Sequence, residues 1–113
     1  MKLNRGDIIL VDFDPARPSE ADKVRPAILV TNDQANHYGT NLMVVPLTSN
    51  VDRVYPFQLF LPTEQTGLDR DSKAQLELTR SVSRSRLGKR IGRVSEGPLQ
   101  ELDDRLRTHL GLG

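Results

Sequence analysis

The chain predicts a mainly β, α+β fold: a small, strongly bent antiparallel sheet or barrel closed by a C-terminal amphipathic helix. Three observations predict it. Short β-branched or alternating runs recur from Ile8 to Val94, punctuated by glycine, proline, asparagine and aspartate. The hydrophobic period then becomes helical, with Leu99, Leu102, Leu106 and Leu110 spaced to share one face. The length, 113 residues, fits one domain spanning 1–113. A chain of that size buries about two-thirds of its unfolded surface, enough for one core without staples.

In order, Arg5-Gly6-Asp7 reads as a turn leading into a first strand, Ile8–Phe13. Two prolines, Pro15 and Pro18, break it and open a long polar loop that runs to Pro26. Connections of about a dozen residues are uncommon in compact domains, which marks this loop as functional. Arg25 precedes a proline and is therefore held extended at the mouth of the second strand, Ala27–Thr31. That strand is nearly continuous in apolar residues, as a central strand is.

Asn32–Asn41 is polar and turn-rich, with room for one short helical turn. Leu42–Thr48 is the third strand, and Pro46, which lacks a donor, places part of it at an edge or bulge. Phe57, Leu59 and Leu61 alternate with Gln58 and Phe60, a fourth strand with one buried face. Ala74, Leu76 and Leu78 alternate with Gln75, Glu77 and Thr79, a fifth strand with the leucines on one face. Ile91 and Val94 mark a last short strand. Ser95 and Gly111 are the expected helix caps, and the leucine stripe is expected to close the core.

The formal net charge is +1, but every charged residue from Arg80 to Arg93 is basic. Such a run is either a solvated strand and turn or a polyanion-binding surface. Its arginines favour forked phosphate contacts. There is no cysteine, which excludes a disulfide framework, a thiolate metal site and a cysteine nucleophile. No apolar run approaches the roughly 20 residues that span a bilayer, and the N-terminus lacks a signal-peptide core. A cytoplasmic location and no membrane partner are expected.

The usual catalytic sets are missing. His37 and His109 have no metal-ligand partners at short spacing, and no phosphate-binding glycine loop or nucleophile elbow occurs. What remains is Ser19, Glu20, Arg25, Thr48, Ser49, Glu77 and Arg80 on loops and strand ends. Each has a plainer explanation: Arg25 paired with Glu20, Thr48 and Ser49 capping a turn, Glu77 paired with Arg80.

The order Arg5-Gly6-Asp7-Ile8, Val11-Asp12-Phe13-Asp14-Pro15, Ser19-Glu20, Val24-Arg25-Pro26, Val45-Pro46-Leu47-Thr48-Ser49 and Glu77-x-x-Arg80 resembles the MazF/PemK family of toxin ribonucleases. Each motif is short; their order and spacing over nearly the whole chain carry the likeness. The resemblance implies an SH3-like barrel working as a homodimer. It implies a growth-regulating toxin that cleaves single-stranded RNA, usually mRNA, at short motifs with no metal or other cofactor. The RNA 2′-hydroxyl is the nucleophile, and 2′,3′-cyclic phosphate and 5′-hydroxyl ends result. A cognate antitoxin covers the active groove, and any DNA contact is indirect, through that antitoxin.

Carried over residue by residue, the family's catalytic arginine and threonine match Arg25 and Thr48, and Glu77 falls where some members carry an acid. The RNA-binding set is then Ser19, Glu20, Ser49, Arg80, Arg84 and Arg86. A guanidinium does not lose its proton, so Arg25 suits a stabiliser of developing phosphorane charge, with a role as proton donor left open. Glu20 and Glu77 are the candidate general bases, Glu77 slightly ahead.

The sequence departs from the family at Pro18, Ala21, Asp22 and Lys23, which make the loop stiffer and more charged, and at Leu78, where glutamine is common. Two other readings share the fold: a non-enzymatic toxin acting on gyrase through the C-terminal helix, and a non-catalytic SH3-like RNA-binding module. For the last, stacking aromatics look sparse: Phe13, Tyr38, Tyr55, Phe57 and Phe60, several expected to be buried.

Overall fold

The computed structural model describes residues 2–13 and 24–113. Ser19 and Glu20, with Pro18, Ala21, Asp22 and Lys23, lie outside the described residues.

The elements are β1 (Asp7–Asp12), β2 (Val24–Leu29), α1 (Asp33–Tyr38), β3 (Asn41–Thr48), β4 (Gln58–Leu61), β5 (Ser72–Gln75), β6 (Arg80–Ser83), β7 (Leu87–Arg93) and α2 (Glu96–His109). The strands pair antiparallel in the order β4-β5-β3-β2-β1-β7, with β6 also on β3. A mainly antiparallel sheet with a C-terminal helix is what the periodicities predict.

The unbroken apolar runs of β1 and β2 have a direct cause: both faces of these strands are buried. Ile8 and Ile28 join a core with Val45, Leu61, Leu76 and Leu102. Their neighbours Ile9, Val11, Ala27 and Leu29 join a second core with Leu42, Val44 and Val82. The turn before β1 depends on Gly6, at φ +93°, whose N–H donates to Leu29 O at 2.8 Å.

Pro46 is not at an edge. It lies buried in β3, opposite Ala27 of β2. It falls between Val44, which pairs with β6, and Leu47, which pairs with β5. The missing donor thus sits where the strand changes partner, which is how a proline is tolerated in a central strand.

Three expectations are corrected. The fifth strand ends at Gln75, and Leu76–Leu78 turns instead as a 3₁₀ helix. Thr79 closes that turn, its backbone N–H and Oγ1 donating to Leu76 O at 3.1 and 2.7 Å. Leu76 is buried while Leu78 is 48% exposed, so the apparent period of two was not a strand face. The fourth strand starts at Gln58, with Phe57 left outside it and exposed. The stripe of α2 buries Leu102 and Leu106, but Leu110, at the helix end, is 60% exposed. Burying each of the first two contributes about 1.5–3 kcal/mol.

The basic run is two strands, β6 and β7, joined by a 3₁₀ turn at Arg84–Arg86. Part of its charge is spent internally. The fully buried Asp7 accepts from Arg93 at 2.8 Å, with Arg90 at 3.7 Å. Its other oxygen accepts from Asn4 N at 2.8 Å. Gly92 lets β7 close on the loop beside it: a Cβ there would lie 2.5 Å from Thr66 O.

Candidate active site

Arg25 is the second residue of β2, across from Val11 of β1, and half-buried. The following proline restricts it to the extended backbone of the strand. Thr48 is the last residue of β3. Its Oγ1 accepts from Asn50 N at 3.2 Å, a local turn that orients the hydroxyl. The β2–β3 register, Ala27 opposite Pro46, continued two residues sets Arg25 across from Thr48.

Arg25, Thr48 and Ser49 line one cleft of about 420 Å³. The loop before β5 adds Asp69 and Arg70 to the lining, and the first residue of β5 adds Ser72. Asp69 is the one carboxylate lining this cleft among the described residues, and it makes no hydrogen bond or ion pair with another of them. Its neighbour Asp71 is committed elsewhere, accepting from Thr63 N at 3.0 Å. Sequence reasoning passed over Asp69 and Arg70 as loop residues. The only available signal was the glycine-led break after Gly67 that returns the chain toward β5.

The other sequence candidates stand apart. Glu77 lies on the 3₁₀ turn after β5, outside the cleft, and its Oε2 accepts from Gln58 Nε2 at 2.7 Å. Arg80 does not pair with it; its guanidinium lies over the Phe13 ring, 5.2 Å from the centroid. Arg86 NH1 reaches Asp12 O at 3.5 Å, so Arg80 and Arg86 both stand at the end of β1. Arg84 is turned inward: Nε donates to Gly39 O at 2.8 Å and NH2 to Asn36 O, closing the C-terminal end of α1. Arg84 thus holds the carbonyls of a short helix together. Among the described residues, no cluster of three or more histidine, aspartate and glutamate side chains is placed to hold a metal ion.

Chemically, the cleft offers two guanidinium groups, three hydroxyls and one carboxylate. That set suits a dianionic phosphorane: forked donors for the equatorial oxygens and an acceptor for a proton.

Residues 4–110 match the family described as a PemK-like, MazF-like toxin of type II toxin–antitoxin system. This chain belongs to that family. It is 50% identical over 115 residues to Endoribonuclease MazF9 of Mycobacterium tuberculosis (strain ATCC 25618 / H37Rv), covering 97% of this chain and 98% of that protein. Its fold is similar to that of MazF from Deinococcus radiodurans, with a TM-score of 0.80 at 23% identity over 98% of both chains. It is also similar to a mycobacterial endoribonuclease solved in complex with its cognate antitoxin, with a TM-score of 0.76 at 17% identity over 97% of this chain and 94% of that one. The chain is therefore a homologue of endoribonuclease MazF, and the toxin family fits the order of motifs that first pointed to it. No helix among the described residues is long and apolar enough to cross a membrane.

Proposed function

We propose that this MazF homologue cleaves single-stranded RNA in the Arg25–Thr48 cleft, without a metal, as a cytoplasmic growth-regulating toxin restrained by a cognate antitoxin. The observation that carries the reading is the shared cleft: Arg25, Thr48 and a carboxylate line one surface of a chain half identical to an endoribonuclease. Residues 1–113 act as one toxin domain. The bent sheet, in which β3 serves two sets of partners, is taken as an SH3-like barrel. It works as a homodimer, with DNA reached only through the antitoxin.

The chemistry is an internal displacement. A carboxylate takes the proton of the RNA 2′-hydroxyl, and the 2′-oxygen attacks the adjacent phosphorus. The P–O5′ bond breaks, leaving a 2′,3′-cyclic phosphate, and the departing 5′-oxygen takes up a proton. Arg25 and Thr48 donate to the phosphorane oxygens, where charge accumulates. Asp69 is the base, replacing Glu77, because Asp69 lines the cleft while Glu77 is held by Gln58. Ser49 and Arg70 hold flanking phosphates, with Arg80 and Arg86 beside the strand end that leads to Ser19 and Glu20.

The test is incubation of the purified protein with mixed RNA in EDTA, followed by mapping of the cut ends. Cyclic phosphate and 5′-hydroxyl ends support the reading. RNA left intact, or ends bearing 5′-phosphates, refutes it.

A further inference from the structure

Aromatic residues are few in this chain, yet those of the β3–β4 connection are neither buried nor scattered. Tyr55 is 42% and Phe57 41% exposed. Their rings stack with centroids 5.4 Å apart and planes 7° from parallel. Phe57 in turn stacks on His109 of α2 at 6.4 Å and 30°. Arg53 lies over the Tyr55 ring at 5.7 Å and Lys73 at 6.0 Å. The result is a ladder of flat groups with two cations at one end, the exposed Arg53 and the buried Lys73, whose ammonium donates to Arg53 O.

This ladder is held rigidly. Gln58 Oε1 accepts from Tyr55 N at 3.1 Å, and Gln58 N donates to Tyr55 O at 2.8 Å, which closes the turn that carries both rings. Arg105 of α2 donates to Pro56 O at 2.7 Å and to Gln58 O at 2.6 Å, so its guanidinium clamps the backbone on either side of Phe57. A cavity of about 780 Å³ opens against Phe57 and His109. The acids at its rim are each paired, Glu101 with Arg105 at 3.1 Å and Asp104 with Arg107 at 2.8 Å. Both are exposed surface pairs beside the cavity.

The ladder also begins beside the cleft. Lys73, whose ammonium sits by Tyr55, is the cross-strand partner of Thr48. An RNA strand with its scissile phosphate at Thr48 thus has Tyr55 on the side of Lys73, where its flanking nucleotides can lie. Half-exposed aromatic rings with adjacent cations are how proteins hold unpaired bases.

We propose that Tyr55, Phe57 and His109 form a stacking site for unpaired bases of the RNA strand flanking the cut. The proposal rests on the ribonuclease reading, and it makes the site selective for single strands, since a duplex hides its base faces.

The test uses the full chain and a 12-nucleotide randomised RNA with 2′-fluoro sugars, which lacks the nucleophile and stays intact. An abasic strand of equal length carries the same phosphates without bases. Wild type is expected to bind the base-containing strand about tenfold or more tightly than the abasic one. Tyr55→Leu with Phe57→Leu keeps the apolar volume and is expected to erase most of that difference while leaving abasic binding unchanged. A Tyr38→Phe background leaves Tyr55 as the sole tyrosine in a chain without tryptophan, and its fluorescence is expected to change when the strand binds. If the double variant keeps the wild-type preference for bases, or Tyr55 fluorescence is indifferent to RNA, the stacking site is wrong, and the ribonuclease reading stands if RNA is still cut. If wild type neither binds nor cuts RNA, both fail. If the double variant keeps RNA binding but loses a peptide partner, the ladder is a protein interface and the proposal is overturned.

Discussion

Gln58 donates to Glu77 at 2.7 Å, and this bond gives Glu77 a structural post outside the cleft. Gln58 is buried and also accepts from the Tyr55 backbone, so Glu77 braces the turn that carries the two stacked rings. On the proposed reading Glu77 is a positioning group, and the proton acceptor for the 2′-hydroxyl is sought among the residues that line the cleft.

The first prediction separates Asp69 from Glu77. Asp69→Asn is expected to lower the rate of the chemical step by about 10²-fold or more, the usual scale for general-base removal. It should also abolish the acid limb of the pH–rate profile. Glu77→Gln keeps a hydrogen-bonding partner for Gln58 and is expected to retain that limb. Single-turnover cleavage against pH makes the comparison. An acid limb lost in Glu77→Gln and kept in Asp69→Asn would return the base to Glu77.

A second prediction concerns Arg84. Its guanidinium serves three carbonyls at the end of α1, those of Ala35, Asn36 and Gly39. Arg84→Ala leaves these carbonyls without their charged donor and is expected to cost about 1–3 kcal/mol. Urea denaturation reads this, and RNA affinity of the folded protein should be unchanged. Unaltered stability with weakened RNA binding would instead make Arg84 a phosphate contact.

A third follows from Asp33. The Arg5 backbone N–H, 2.6 Å from Oδ1, holds this carboxyl below the usual carboxylate range, assisted by the Asn36 amide at 3.1 Å. A depressed folded pKa means the contribution is complete above the unfolded value of about 3.9 and is lost as pH falls through the folded one. Asp33→Asn should therefore lower stability at neutral pH, and the gap to wild type should narrow below about pH 4. Denaturation midpoints across pH 3–7 test the sign; a gap that widens toward acid would contradict it. The group is exposed, so the effect is small.

Much of this architecture was legible because burial leaves a periodic mark. Ile8–Val11 and Ala27–Leu29 read as strands because both faces are buried. Leu99, Leu102 and Leu106 read as a helix face because they meet the core. The signal failed where local turns override period. Leu76 and Leu78 alternate like a strand pair, but Thr79 folds them into a 3₁₀ turn. It failed again in β6, where Val82 is the one buried residue among four and charge hides the strand.

That Arg25, Thr48 and Ser49 would stand at strand ends was legible for a different reason. Val24-Arg25-Pro26 and Leu47-Thr48-Ser49 carry backbone constraints that a sequence displays. Asp69 becomes part of the cleft only through the chain reversal that brings the loop before β5 against β2 and β3, a long-range event with no local signature. The aromatics misled in the opposite direction. Phe57 is expected on the buried face of the fourth strand, yet it is held at the surface, with Arg105 bonded to the carbonyls on either side of it.

The central claim is metal-free RNA cleavage at Arg25 and Thr48. Its most direct measurement is cleavage of mixed RNA in EDTA by wild type and by folded Arg25→Ala, with the ends mapped. Removing one such donor typically costs about 10²–10³-fold. Wild type is predicted to leave 2′,3′-cyclic phosphate and 5′-hydroxyl ends, and Arg25→Ala to fall by at least that factor. Cleavage by Arg25→Ala at the wild-type rate, or wild-type RNA left whole until a metal is added, would contradict the account.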